Sequence, residues 1–542
     1  VSIAPLASKT KTGKRLRHAW YRLLRTRDRG SLIKGLIQAR RKPGSVTESE
    51  KSSREKQEVD FSSTRLAQLC PAYTNGESAF RLLDDGHEAF IARLSLIDLA
   101  ERTLDLQYYI MRDDETTRAL LYALIQAANR GVRVRLLLDD IYAVGRDLEW
   151  SLLDAHPNIE MRLFNPFMAR GPFGLSRFFE LLGNAVRLNR RMHNKLFIAD
   201  NTAVVIGGRN LGNEYFNAES DTLFVDLDVL GVGPIAEQTT RSFEDFWRSE
   251  FAVPLTSLHK QASSEAELRR RAIGYRKLLR DFRGSGYFQD VRDTQFVREL
   301  AHQSVALIPG RAYAVWDTPE KAIGKRKLIA GEHKGPRIIE LLKQARESIT
   351  LISPYFIPGA LGVERLADYV ATGVQVQVLT NALVSTDVPV VHTGYARYRE
   401  ELLKAGVQLF ELRPDTLDRK QWKKRRKQLG RSRASLHTKL ILIDDQYALI
   451  GSANLDPRSI FLNTEFTCVI ESSVIVKQLK QLYRELCEPD QSFAVSLSGD
   501  KLQWHTRNRN AEVVVFDREP MTGFWKRLGM KLLSWLAPEF LL

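Results

Sequence analysis

A chain of 542 residues, 44% hydrophobic, is long enough for two or three domains of ordinary size with buried cores. A net charge of +16 points to a polyanionic partner, whether nucleic acid, an anionic membrane surface or a phosphorylated substrate. The three cysteines, Cys70, Cys468 and Cys487, are far apart and odd in number, which excludes a disulfide framework and a cysteine zinc site, and no apolar run approaches the roughly 18–20 residues that span a bilayer.

In chain order, Lys9–Lys42 holds thirteen Lys or Arg against one acid, Asp28, with Leu16, Trp20, Leu23 and Leu24 at helical spacing. This reads equally as a solvated basic arm or as an amphipathic membrane-docking segment. A polar linker follows, so residues 1–60 form an N-terminal extension, and a globular part begins near Phe61. Thr103–Met111 is expected as a strand, Thr116–Asn129 as a helix and Gly131–Asp140 as a strand, a β-α-β unit that calls for parallel pairing. A helix over Asp147–Ala155 and a strand over Ile159–Phe164 come next. The apolar run Phe167–Val186 is a buried helix or an apolar lip over a site. One strand is expected over Phe224–Val232 and a helix over Pro234–Arg248. Residues 258–337, charged and then Gly- and Lys-rich, read as a connector.

The second half replays the first. Ser348–Phe356 and Gly373–Thr380 match the two early strands, Val363–Ala371 and Tyr395–Ala405 are helices, and Val407–Pro414 is a strand. The landmark pairs Thr103 and Ser348, Gly131 and Gly373, and His193 and His437 keep nearly the same spacing, which marks duplication of a whole domain. The expected fold is α/β, with two duplicated domains (61–257 and 338–490), each a mixed, largely parallel sheet flanked by helices. They are expected to pack about a pseudo-twofold axis around one shared site. Residues 491–542 form a C-terminal extension. There Phe524, Trp525, Leu528, Leu532, Trp535 and Leu536 share one helical face, with Lys526, Arg527 and Lys531 elsewhere, the pattern of an interfacial helix or of one docked on the body. The basic run Arg419–Arg433 reads as a headgroup-holding segment or a solvated loop.

The duplicated motif carries the chemistry. His193, Lys195, Asp200, Gly207, Gly208 and Asn210 recur as His437, Lys439, Asp444, Gly451, Ser452 and Asn454. In an extended strand His and Lys fall on one face while the Asp has the other parity, so Asp200 and Asp444 are expected to hold a turn. Two imidazoles suit displacement at a phosphodiester, one attacking phosphorus and the other protonating the leaving alkoxide. Lys195, Lys439, Asn210 and Asn454, with Gly208 and Ser452 in the adjoining turn, would bind the phosphate without a metal or other cofactor. Asp221 and Glu465 each follow their Asn by the same interval and are expected to orient the histidines.

These residues resemble the paired HKD motifs of the phospholipase D superfamily, with Asp200 and Asp444 as the third members. The stretches LDLQYYI, GVRVRLLLDD, RLNRRMHNK, DVPVVHTGYARYREELLKAGV, SLHTK and GSANLDPRSIFLNTE look most like bacterial cardiolipin synthases of the C type. The resemblance implies phosphatidyl transfer through phosphohistidine, with His193 as nucleophile and His437 as general acid, although the duplication leaves the two nearly interchangeable. It implies phosphatidylglycerol as acceptor, phosphatidylethanolamine or phosphatidylglycerol as donor, and a peripheral position on the bacterial inner membrane. Tyr108, Tyr109, His392 and Tyr395 lie in shared stretches and are either headgroup contacts or core. The alternatives are a hydrolytic phospholipase D, a nuclease-type phosphodiesterase and a non-catalytic lipid-binding protein. The apolar stretches disfavour nucleic acid, and two intact motifs disfavour an inert binder.

Overall fold

The computed structural model describes residues 60–542 except 71–76, 144–145, 168–184, 219–220, 259–280, 283, 303, 324–333, 416–432, 509 and 537–542. The basic arm, most of the Phe167–Val186 run and nearly all of Arg419–Arg433 therefore lie outside the described residues. The chain divides into two compact units. Of the described residues, unit one holds those up to Ile206, Asn210–Ala218 and Val229–Gly310, and unit two holds Gly207–Arg209, those up to Asp228 that follow Ala218, and those from Arg311 onward.

In unit one, β1 (Ser78–Leu83) and α1 (Gly86–Leu99) lead into β2 (Thr103–Tyr108), α2 (Glu115–Asn129), β3 (Arg133–Asp139), α3 (Asp147–Asp154) and β4 (Ile159–Phe164). The motif strand β5 (Leu196–Ala199) and β6 (Ala203–Gly207) follow. The order of paired strands runs β9 (Ala252–Pro254), β4, β3, β2, β5, β6. Apolar runs such as Leu136–Leu138 are buried because α2 crosses over the sheet, as a parallel connection requires. α2 starts where the Asp114 side chain accepts the Thr117 amide. Arg135 would be costly in this interior alone, and it is paired with Asp105 at 2.6 Å and Glu244 at 2.6 Å.

Where one strand is expected over Phe224–Val232, the chain makes two, β7 (Thr222–Val225) and β8 (Asp228–Val232), followed by α4 (Pro234–Trp247). The break falls at Asp226, whose side chain is used elsewhere. The expected connector is structured in its described part and divides between the units. In β10 (Ile308–Trp316), Ile308–Gly310 pair with β1 in unit one and Arg311–Trp316 pair with β17 (Phe466–Glu471) in unit two.

Unit two repeats the plan with β11 (Ser348–Ile352), α5 (Gly359–Ala371), β12 (Gln375–Asn381), α6 (Pro389–Ala396), α7 (Arg399–Lys404) and β13 (Gln408–Leu412). The helix expected over Tyr395–Ala405 is thus two helices, α6 ending at Ala396 and α7 starting at Arg399. Then come β14 (Arg433–Leu436), β15 (Leu440–Ile443), β16 (Tyr447–Gly451), α8 (Ser473–Leu486), β18 (Ser492–Ser498), β19 (Lys501–Arg507), β20 (Val513–Phe516) and α9 (Phe524–Leu536). The order β18, β13, β12, β11, β15, β16 reproduces that of unit one strand for strand. Both sheets are mixed. Within these two sheets the parallel ladders are β2–β3–β4 and β11–β12–β13, and the motif strands return as antiparallel hairpins, so the parallel share is smaller than expected.

Candidate active site

In unit two the second motif is held by a strand from the first half of the sequence. β7 pairs in parallel with β14, Thr222 opposite Arg433 through Val225 opposite Leu436. Just beyond this ladder the Val225 carbonyl accepts the amides of His437 at 2.8 Å and Thr438 at 3.1 Å. The next residue, Asp226, therefore faces the imidazole, and its Oδ2 lies 2.6 Å from His437 Nδ1. The second oxygen, Oδ1, accepts the Leu227 amide at 2.8 Å. Phe224 packs on the same ring with centroids 4.9 Å apart. Upstream, the Asn381 side chain clasps the backbone of Leu436, accepting its amide at 2.8 Å and donating to its carbonyl at 3.0 Å.

His437, Thr438 and Lys439 thus sit between two strands, not inside one. The Lys439 ammonium bends back to donate to the His437 carbonyl. Burial lowers the Lys439 pKa, and the nearby carboxylates Asp226 and Glu465 oppose that shift.

The structural counterpart of Glu465 is Asp226, because the same contacts surround both. The Gly208 amide donates to Leu227 O, and the Ser452 amide donates to Phe466 O, each carbonyl belonging to the residue just after the acid. A Cβ on Gly207 would fall 2.5 Å from Leu227 O, and one on Gly451 would fall 2.1 Å from Phe466 O, so this approach demands glycine in both copies. A Cβ on Gly208 would lie 2.2 Å from Asp226 Oδ1. Ser452 instead donates its hydroxyl to Glu465 Oε2 at 2.5 Å, and Ser459 donates to Oε1 at 2.8 Å. The departures between the two copies are therefore matched pairs, Gly with Asp and Ser with Glu.

This corrects the expectation for Asp221. That residue is exposed, and its backbone carbonyl receives the Arg433 amide. The equal spacing misleads because the first copy carries five extra residues between Asn and acid: Asp226 follows Asn210 by sixteen, where Glu465 follows Asn454 by eleven. Sequence alone does not separate the two acids, because Asp221 too stands directly before a short apolar strand, Thr222–Val225.

In unit one, His193 is buried against the half-buried Tyr109, the rings meeting edge-on with centroids 5.0 Å apart. Lys195 donates to the His193 carbonyl at 2.6 Å, repeating the geometry of Lys439, and its ammonium lies 5.6 Å from the Tyr109 ring centre. Asp139, at the end of β3, accepts the Met192 amide at 2.9 Å, the place taken in unit two by Asn381 at the end of β12. The two asparagines of the motif differ. Asn210 is turned into the fold, accepting the Ile110 amide at 3.1 Å and donating to Tyr215 Oη at 3.0 Å. Asn454 is buried, and its side-chain oxygen has no hydrogen-bond partner among the described residues.

Asp200 and Asp444 do what strand parity requires. Asp200 accepts the amides of Glu101, Arg102 and Thr103, each at 2.8 Å, and Asp444 accepts those of Arg346, Glu347 and Ser348 at 2.8–3.2 Å. Both have positive φ, 48° and 51°, a conformation Asp tolerates better than most residues. Each closes the motif hairpin and ties it to the start of β2 or β11.

Of the four suggested headgroup contacts, Tyr109 is beside His193 and three are interior. The Tyr108 hydroxyl accepts from Arg93 at 3.1 Å. His392 accepts at Nε2 from the Arg399 guanidinium, over which Tyr395 packs. Arg399 is also paired with Glu411 at 2.9 Å and Glu519 at 2.5 Å. That buried node ties the segment before α9 to the body of unit two. Lys526 in α9 donates to the Leu383 carbonyl at 3.0 Å, whereas Phe524, Trp525, Leu528 and Leu532 are exposed. No described helix is long and apolar enough to cross a membrane.

The chain is similar to known proteins over most of its length. Cardiolipin synthase C of Escherichia coli K12 is 39% identical over 477 residues, covering 88% of this chain and 98% of that protein. Cardiolipin synthase B of Escherichia coli K12 is 25% identical over 397 residues, covering 72% of this chain and 76% of that protein. Among solved structures, phosphatidylserine synthase from Haemophilus influenzae Rd KW20 shares the fold, with a TM-score of 0.54 at 15% identity, covering 88% of this chain and all of that one. The family described as cardiolipin synthase, PLD-like domain, matches residues 94–247 and 338–487, one match for each copy of the motif. The chain belongs to the cardiolipin synthase family of phospholipase D-like phosphatidyltransferases.

Proposed function

We propose that this protein makes cardiolipin at a membrane surface by transphosphatidylation, using phosphatidylglycerol as acceptor and phosphatidylethanolamine or phosphatidylglycerol as donor. The observation that carries the reading is the carboxylate of Asp226 on His437 Nδ1. It keeps a proton on Nδ1, stabilises the imidazolium and directs acid–base chemistry to Nε2.

In the proposed cycle His193 attacks phosphorus, a P–N bond forms, and the P–O bond to the donor headgroup breaks as His437 gives that oxygen its proton. The acceptor hydroxyl then loses its proton to His437 and attacks phosphorus, and the P–N bond breaks to release His193. Lys195 and Lys439, with Asn454, are proposed to bind the non-bridging oxygens, and Glu465 to be the second orienting carboxylate. Two histidines are needed because attack and leaving-group protonation occur in one step. The exposed apolar face of α9 supports an anionic bilayer as the docking partner, and with it a peripheral position on the inner membrane.

The test is mass spectrometry of lipids after purified protein is incubated with phosphatidylglycerol, with and without phosphatidylethanolamine. Cardiolipin is expected, and its loss in both His193→Ala and His437→Ala. Phosphatidic acid alone would indicate a hydrolase, and cardiolipin formation by either variant would refute the two-histidine cycle.

A further inference from the structure

Arg191 stands two residues before His193, and its side chain is only 1% exposed. Its Nη1 lies 3.3 Å from the Asn165 carbonyl and 3.5 Å from Asp139 Oδ1, and the Phe167 ring centre is 5.0 Å from Cζ. The other two nitrogens, Nε and Nη2, have no hydrogen-bond partner among the described residues. These two form one edge of the planar guanidinium, the edge that presents two parallel N–H bonds to a pair of oxygens.

Asp139 does not satisfy this group. Its Oδ2 receives the Met192 amide at 2.9 Å and its Oδ1 receives the Ile141 amide at 3.0 Å. Burial pushes its carboxyl up to about 6 despite the nearby guanidinium. Two unmet donors on a buried cation are costly, and a fold tolerates them where an incoming group completes them. The second motif lacks the charge. The residue two before His437 is Ser435, also buried and with a hydroxyl unpartnered among the described residues, and the place of Asp139 is taken by the neutral Asn381.

We propose that the unpartnered Nε–Nη2 edge of Arg191 binds two non-bridging oxygens of a phosphodiester beside His193, making the first copy of the motif the stronger anion holder. This rests on the phosphatidyl-transfer reading, and it adds a substrate-binding residue outside the His, Lys and Asn of the motif. Arg191 and His193 flank Met192, whose amide donates to Asp139 Oδ2 at 2.9 Å, so the guanidinium and the imidazole leave the backbone two residues apart.

The experiment measures the thermal midpoint of the full chain against inorganic phosphate and, separately, glycerophosphoglycerol, a soluble diester. Both should protect the unaltered protein, the diester at lower concentration. Arg191→Lys keeps the charge but loses the two-pronged edge, so the concentration giving half-maximal protection should rise about tenfold. Equal protection of the Lys variant would overturn the assignment, and protection by inorganic phosphate alone would overturn the diester. Asp139→Asn leaves Arg191 in place and removes the neighbouring negative charge, so it should bind the diester several-fold more tightly. An unchanged midpoint shift there would equally count against Arg191, even if the Lys variant fails to fold. Because the readout is anion binding, a protein that binds through Arg191 yet makes no cardiolipin would refute the proposed reaction and spare this inference.

Discussion

Asp226 and His437 are far apart in the sequence, one in each copy of the duplicated pattern, yet their Oδ2 and Nδ1 atoms are 2.6 Å apart. The bond fixes the tautomer and supports the charged form of the ring. Asp226→Asn, similar in shape but neutral, is expected to lower the rate of phosphatidyl transfer by about 10² or more, the lower range for losing a well-placed acid–base group. Steady-state rates on mixed vesicles, with circular dichroism to confirm folding, would check this. A rate within threefold of the unaltered protein would remove Asp226 from the mechanism.

Gly208 makes room for that carboxylate. In Gly208→Ser the new Cβ would sit 2.2 Å from Asp226 Oδ1 and must displace it, so activity should fall at least tenfold. Ser452→Gly should be milder, because Ser459 still donates to Glu465. Equal losses in the two variants would contradict the pairing of Gly with Asp and Ser with Glu.

Asp444 and Asp200 should behave as structural residues. Asp444→Ala leaves three backbone amides without their acceptor, two of them within reach of water, and should cost about 1–3 kcal/mol of stability. Catalytic rate per folded molecule at low temperature should be retained. Urea unfolding read beside activity separates the two effects, and an inactive but fully stable variant would return Asp444 to the chemistry.

Asp456 predicts a pH dependence. Its side chain caps the turn after the second motif by accepting the Ser459 amide at 2.7 Å, and burial pushes its carboxyl from 3.8 up to about 7. The folded state holds this proton where the unfolded chain has lost it. The resulting stabilisation is present in full below about pH 4 and is lost as pH rises through 7. Asp456→Asn keeps the cap and removes the titration, so its unfolding free energy should vary less between pH 5 and pH 8. Identical slopes in both proteins would show that Asp456 does not titrate in this window.

The apolar face of α9 should contact lipid. Trp525 is 79% exposed, so Trp525→Asp together with Leu532→Asp should leave the fold intact while reducing sedimentation with anionic vesicles several-fold. Unchanged binding would leave α9 as a helix that merely docks through Lys526.

Much of this was legible in the sequence because its signals are local or repeated. The strand pattern of Gly131–Asp140, the steady offset between copies and the parity of Asp200 and Asp444 depend only on periodicity. What escaped depends on which strand pairs with which. Asp221 has the spacing of an orienting acid but not the position, because an insertion lies between Asn210 and Asp226. Asn210 matches Asn454 in sequence, but Tyr215 and the Ile110 amide turn its side chain inward. Arg191 gave no signal, since in the sequence it is one arginine among several and only burial exposes its unmatched edge.

The pairing of β7 with β14 bears on how the protein is made. β7 emerges during synthesis long before β14, so a nascent chain that has reached Gly310 displays a strand edge whose partner does not yet exist. Such an edge invites pairing with the wrong chain. A gene cut between the repeats should accordingly yield an aggregation-prone first half and a second half unable to orient His437. Co-expression of the two pieces should rescue both, so the fused gene keeps a strand and its partner in permanent company.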